Sequence, residues 1–291
     1  DMEATGVLSP VKIRFLEDLY GRAEALLHAN AAPSPHVEPA VREQRFRSRL
    51  SRRLSAANLT PVQIRDHTEG MPVSYLLNTA PEQIATHIRM VEALQATNLP
   101  VVEFENEMSE VTTMHLCTLE RAEPGLLSQI AGVLYAHEVG VHGAQVFTRA
   151  VQPKTALDTL WIDYRRRTIP PMKRLELEQD LVATLAGGDV ESILARYRKG
   201  LPAATPPRRV GFDNELAESH TVVEIEADDQ PALLYRITRA MAALGWNIHS
   251  ARIATRGDTV RDAFYVTTPA GAKLEDEESR LHDAFLAEFA K

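Results

Sequence analysis

One stretch of this chain occurs twice, and that constrains the fold more than any other feature. Pro124-Gly-Leu-Leu-Ser-Gln-Ile through Thr148 aligns without a gap on Pro231-Ala-Leu-Leu-Tyr-Arg-Ile through Thr255, an offset of 107 residues. Matched pairs include Leu126 and Leu233, Leu127 and Leu234, Ile130 and Ile237, His142 and His249, and Thr148 and Thr255. Self-similarity at a fixed period reports one supersecondary unit used again. Beyond it, a hairpin three residues longer in the first copy leads to Asp158-Thr-Leu-Trp-Ile and Asp262-Ala-Phe-Tyr-Val, whose apolar alternation reads as strand.

Each copy therefore reads as strand, helix beginning at the proline, strand, hairpin, strand, helix. Val111 to Leu119 and Thr221 to Glu226 open the two copies, and Met172 to Leu185 and Asp276 to Ala290 close them. Antiparallel strands with both helices on one face make the ferredoxin-like layout. The expected class is α+β: an all-helical N-terminal segment followed by two ferredoxin-like βαββαβ modules. The corresponding division is 1–98 helical, 99–200 first module, 201–209 a linker carrying three prolines, and 210–291 second module.

The helical reading of the first hundred residues rests on period. Ile13, Leu16, Tyr20, Ala23 and Leu27 make one stripe; Phe46, Leu50 and Leu54 make another, with six arginines on a face that reads as solvated. Thr60 before Pro61 signals a helix start that runs to about His67, and Thr79 before Pro81 signals a second, with Ile84, Ile88, Val91 and Leu94 inward. Near Leu99 the period falls to two, so Val101 to Glu105 reads as strand.

Composition removes several functional classes. Thirty-two basic against forty acidic residues leaves a net charge of -8, which disfavours general attraction to nucleic acid or anionic lipid. The single cysteine, Cys117, forbids an internal disulfide and reads as a small buried hydrophobe. No apolar run approaches the roughly 20 residues of a membrane helix, so the expectation is a cytoplasmic chain with neither membrane nor nucleic-acid partner. His67 and His282-Asp283 read as surface residues rather than metal ligands.

The repeated acid-x-Pro-Gly-Leu-Leu element, followed by a helix and Asn-Ile or its equivalent, resembles the ACT domain, an amino-acid-sensing module. Val210-Gly-Phe-Asp-Asn-Glu-Leu-Ala-Glu-Ser-His-Thr-Val-Val-Glu-Ile, Ala227-Asp-Asp-Gln-Pro and His249-Ser-Ala-Arg-Ile-Ala-Thr resemble the last ACT domain of bacterial PII uridylyltransferase/uridylyl-removing enzymes. Ala156-Leu-Asp-Thr-Leu-Trp-Ile resembles the matching strand of their first ACT domain, and Asp1-x-x-Ala-Thr-Gly resembles the end of their HD phosphohydrolase domain. The resemblance implies the C-terminal part of such an enzyme, with glutamine as ligand, the PII protein as partner of the whole enzyme, and Mg²⁺ or Mn²⁺ as its metal. It identifies Asp1 alone as an HD metal ligand. No nucleotidyltransferase Gly-Ser motif or paired carboxylates accompany it, so the chain reads as inactive by itself, with no catalytic residues and no cofactor of its own. An ACT pair that serves only as an interaction module, without a small ligand, is the alternative.

In such modules the free N–H groups at the first helix start can hold a small carboxylate. The first copy has Pro124-Gly125 but Ala122 where the family has an acid; the second has Asp229 but Ala232 for the glycine. The resemblance points to Asp228, Asp229, Gln230, Ala232, Leu233, Asn247 and His249 as ligand-binding, followed by Glu123, Gly125, Leu126 and His142.

Overall fold

The computed structural model describes residues 54, 58–72, 75–76, 79–106, 111–120, 125–197, 199–217, 219–256 and 258–290. The stripes before residue 54, together with Asp1, Ala122, Glu123 and Pro124, lie outside the described residues. Among the described residues, the helices α1 (Pro61–Gly70) and α2 (Pro81–Thr97) precede the strands. Thr60 and Gln63 form a reciprocal capping box at α1, as Thr-x-x-Gln sequences do. The N-cap of α2 is Ala80 rather than Thr79, and Asn98 ends that helix in the left-handed conformation.

The first repeat contains β1 (Val101–Asn106), β2 (Thr112–Leu119), α3 (Leu126–Ala136), β3 (Val139–Arg149), β4 (Thr155–Tyr164), α4 (Pro171–Leu185) and the short α5 (Val190–Arg196). The second contains β5 (Arg209–Asp213), β6 (Thr221–Asp228), α6 (Leu233–Ala243), β7 (Asn247–Arg252), the two-residue β8 (Thr255–Arg256), β9 (Thr259–Thr267) and α7 (Glu278–Phe289). All pairings are antiparallel and join both repeats into one sheet, in the order β1-β2-β4-β3-β7-β9-β6-β5 with β8 on β9. The α+β, ferredoxin-like class holds. One detail differs: the outer strand of each module, β1 or β5, precedes the repeat in sequence instead of following its closing helix. β5 is short and contains Gly211, so alternation alone did not reveal it.

The main core lies between this sheet and the helices of both repeats. Met114, Leu116, Leu160, Ile225 and Phe264 from strands pack with Ile130, Leu134, Ile237, Met241 and Phe285 from helices. At roughly 1.5–3 kcal/mol for each fully buried aliphatic or aromatic side chain, this layer is the principal source of stability. Gly132 lets the two repeats' helices meet: a Cβ there would fall 2.9 Å from the Tyr235 ring on α6. Arg236, fully buried, donates to the carbonyls of Glu288 and Pro202 and so ties α6 to the last helix and to the segment before β5.

Among the described residues, a second core lies on the opposite face of the first repeat. There Ile84, Ile88 and Val91 of α2, with Tyr75, cover Cys117, Phe147 and Leu157. A chain of buried polar groups runs through this contact. His67 Nε2 hydrogen-bonds Tyr75 Oη at 3.0 Å, Tyr75 Oη bonds His87 Nδ1 at 2.9 Å, and His87 Nε2 bonds His115 Nδ1 at 3.2 Å. Thr159 Oγ1 bridges the last two rings at 3.3 and 3.2 Å. His67 is thus a core residue and not the surface histidine expected from sequence, because partners 8 residues away in Tyr75 and beyond in His87 enclose it. Burial and the nearby Arg149 guanidinium hold His67 down at about 3, and burial with the flanking histidines holds His87 well below its usual value.

Candidate functional site

The two repeats meet through β3 and β7, where Gln145 pairs with Arg252. These are equivalent positions in the 107-residue repeat, so each copy presents the same strand to the other. The contact is self-complementary in the manner of a two-fold dimer interface, here within one chain. It creates two related edges. At one, the start of α3 faces the start of β7; at the other, the start of α6 faces the start of β3.

The first edge holds a crevice of about 50 Å³. The first repeat lines it with Glu120, Gly125, Leu126, Leu127, Val146, Thr148, Ala156 and Asp158, and the second with Thr238, Ala242, Trp246, Asn247 and Ile248. Gly125 has φ of +121°, a conformation that suits glycine, and a Cβ there would touch Ala242 of the other repeat at 3.4 Å. Its place as N-cap of α3 leaves the first-turn N–H groups free of intrahelical partners.

Asp158 is the unusual group in this crevice. It stands on β4 opposite Leu116 and Val146, on the face that packs against the helices. Its side chain is 1% exposed, and neither carboxylate oxygen has a hydrogen-bond partner. Burial pushes its carboxyl up to about 8, since an ionised oxygen pair without donors is poorly stabilised in an apolar site. Glu120 is differently placed, with Oε2 at 3.5 Å from Lys154 Nζ. Cys117 is buried as expected, and its thiol is raised by burial with the Asp158 charge adding to the shift.

The sequence-predicted ligand residues divide between several places. Gly125, Leu126 and Asn247 come together in the crevice. Asp228 instead pairs with Arg208, and Gln230 clasps the backbone of Thr205 in both directions at 2.7 and 2.9 Å. Ala232 begins α6 at φ of +63°, and Leu233 is buried in the main core. Asp229 lies at the second edge, where burial raises its carboxyl and the nearby His142 opposes the rise.

His142 and His249 prove to be the extra residues at equivalent β-bulges of β3 and β7. Each reaches across to the neighbouring strand, His142 Nε2 to Asp163 Oδ2 at 2.6 Å and His249 Nε2 to Thr267 Oγ1 at 2.8 Å. Burial, then the His220 ring tilted against it at 4.7 Å and Lys154, bring His249 down to about 4. Asp158, which lines the crevice, is not among the residues to which the resemblance points. Its signal was present: an acid at an inward position of an alternating strand, repeated as Asp262 in the second copy.

Among the described residues, no three His, Cys, Asp or Glu side chains gather to hold a metal ion, and no helix is long and apolar enough to cross a membrane. Asp1, the one HD-type ligand implied by resemblance, lies outside them.

A self-paired α+β repeat with a crevice at its seam is an ACT-like architecture, and a family model described as "ACR9-like, ACT-like domain" matches residues 209–286. By sequence, the chain belongs to the bifunctional uridylyltransferase/uridylyl-removing enzyme family. The relative from Gluconobacter oxydans is 28% identical over 309 aligned residues, covering 99% of this chain and 31% of its own length. Relatives of the same name from Rhodospirillum rubrum and Nitrobacter winogradskyi are each 31% identical, covering 69% of this chain and 22% of theirs. The chain thus spans a third or less of the curated relatives it matches. A solved aspartate kinase from Synechocystis overlaps 61% of this chain and 26% of its own at 14% identity and a TM-score of 0.32, too loose a superposition to inform the site.

Proposed function

We propose that this chain is the sensing and regulatory part of a bifunctional uridylyltransferase/uridylyl-removing enzyme, and that glutamine binds in the crevice between its two ACT-like repeats. In this reading residues 99–200 and 210–291 are the paired sensor modules, 201–209 links them, and 1–98 connects them to a catalytic part. Ligand occupancy would then govern uridylylation and deuridylylation of PII in cytoplasmic nitrogen regulation.

The observation that carries the reading is the crevice itself, formed only where the two repeats meet. A ligand there contacts both copies at once. Its carboxylate suits the free N–H groups at the α3 start, where the helix dipole favours negative charge. Its ammonium suits Asp158, which supplies the acid missing at Ala122. The Asn247 amide offers a donor and an acceptor to a side-chain amide.

The test is a thermal melt of the chain with each of the twenty amino acids. A selective rise with glutamine is expected, worth about 2.7 kcal/mol at a hundredfold excess over Kd. No rise with any amino acid overturns glutamine sensing by this chain and favours an ACT pair that serves as an interaction module.

A further inference from the structure

We propose that Asp158 restricts the crevice to ligands bearing a cationic nitrogen, and that it releases its proton to solvent when such a ligand binds. The inference rests on the glutamine-site reading and adds to it the charge of the ligand and a linkage to pH.

The geometry gives the reason. Asp158 is flanked by Leu116 and Val146 on the neighbouring strands and shares the crevice with Gly125, Leu126 and Leu127 at the α3 start, and its oxygens receive no donor from the protein. A buried carboxyl without donors is most stable as the neutral acid, and burial holds it at about 8. An ammonium group changes that balance, because it offers both a countercharge and N–H donors to the oxygens left unpaired. The proton on Asp158 is then displaced: an O–H bond breaks, the proton goes to water, and the ion pair replaces it. A ligand with a keto, hydroxyl or unsubstituted carbon at that place provides no such exchange, and a second anion there is repelled.

The charged and titratable surroundings support the assignment to Asp158. Among the described residues, Glu120 shares the crevice but already faces Lys154. Cys117 on β2 is held as a neutral thiol by burial. The residues contributed by α6, β7 and the turn between them are Thr238, Ala242, Trp246, Asn247 and Ile248, which carry no charge.

The experiment is calorimetric titration of the whole chain with glutamine, and with glutaramate, which is glutamine without its amino group, at pH 6, 7 and 8 in buffers of different ionisation enthalpy. The expected result is glutamine affinity rising roughly tenfold per pH unit below the Asp158 titration, with close to one proton released per ligand. Glutaramate should bind on the order of 10–100-fold more weakly, without proton release. Asp158→Asn keeps the shape of the side chain and should weaken glutamine by a similar factor while abolishing the proton release. A difference infrared spectrum should show loss of a protonated carboxyl band on glutamine addition, in the parent chain only.

Glutamine binding that is flat between pH 6 and 8, matched by glutaramate, or unchanged in Asp158→Asn overturns this inference and leaves the glutamine site standing. Absence of glutamine binding at every pH overturns the site reading and this inference with it.

Discussion

The two repeats share one backbone plan but treat the sheet face away from α3 and α6 in opposite ways. In the first repeat that face carries His115, Cys117, Leu157 and Thr159, all buried beneath α1 and α2. In the second, the equivalent face presents Glu224, Arg252 and Arg261, exposed, with Glu226 and Arg261 paired across strands at 3.4 Å. The core-facing sides of both repeats are alike, so the module itself needs only one apolar face. The additional apolar and histidine surface of the first repeat is where the described helices α1 and α2 pack.

Exchanging residues between the repeats breaks this comparison most directly. Leu157 and Arg261 occupy matched positions. Leu157→Arg forces a guanidinium into the second core and should cost about 3–5 kcal/mol. Arg261→Leu, on the open face, should stay within about 0.5 kcal/mol. Urea unfolding of both variants checks this; equal effects would mean that α1 and α2 do not cover the first repeat.

Acid should separate the repeats next. His67 and His87 are held neutral by burial, below the ordinary value near 6.5 of the unfolded chain. Their contribution is therefore present above about 6.5 and is lost as pH falls from there toward about 3. Amide exchange over residues 81–97 should accelerate in this window by about 1–2 kcal/mol of local opening before the strands of the second repeat respond. Simultaneous loss in both regions would remove the histidine chain as the acid-sensitive element.

The buried aspartates of the two repeats sharpen the comparison in the other direction of pH. Asp158 and its counterpart Asp262 are raised by burial to about 8 and about 7. A raised carboxyl contributes stability that is complete below about 4 and lost as pH rises through the folded value. Only Asp262 has a donor, the Ala254 N–H at 3.2 Å. Asp158→Asn should accordingly stabilise the ligand-free chain by about 1–3 kcal/mol at pH 8 and by much less at pH 4. Asp262→Asn should gain less, because its carboxylate already has that bond; thermal melts at the two pH values would show an equal gain if the unpaired state of Asp158 were irrelevant.

How far these features were legible in the sequence follows from how local they are. The repeat and its alternation located most of the strands and the paired bulge histidines, because register and period are properties of neighbouring residues. The edge strand β5 escaped because it is five residues long and broken by Gly211. His67 was misread because its burial depends on Tyr75, His87 and the sheet. The crevice was only partly legible: the family likeness points to Gly125, Leu126 and Asn247, which line it, and equally to Asp228, Asp229 and Gln230, which do not, while Asp158 joins it through the pairing of strands. Under the pseudo-symmetry the second edge has Ala232, Gly140 and Tyr135 in place of Gly125, Asn247 and Ala242, a substitution pattern that removes the glycine and the amide together.

The smallest expected difference concerns the two bulge histidines. His142 reaches a carboxylate that also accepts the Arg166 N–H at 3.2 Å, whereas His249 reaches the neutral hydroxyl of Thr267. Hydrogen bonds to charged groups are worth roughly 1.5–3 kcal/mol and neutral ones roughly 0.5–1.5. His142 is partly exposed, which draws its contribution toward the bottom of its range. His142→Ala should therefore destabilise by about 1.5 kcal/mol and His249→Ala by about 1, with Asp163→Asn recovering part of the first loss and Thr267→Val reproducing the second. A larger loss at His249 would mean that its ring contact with His220, not the cross-strand bond, holds the second bulge.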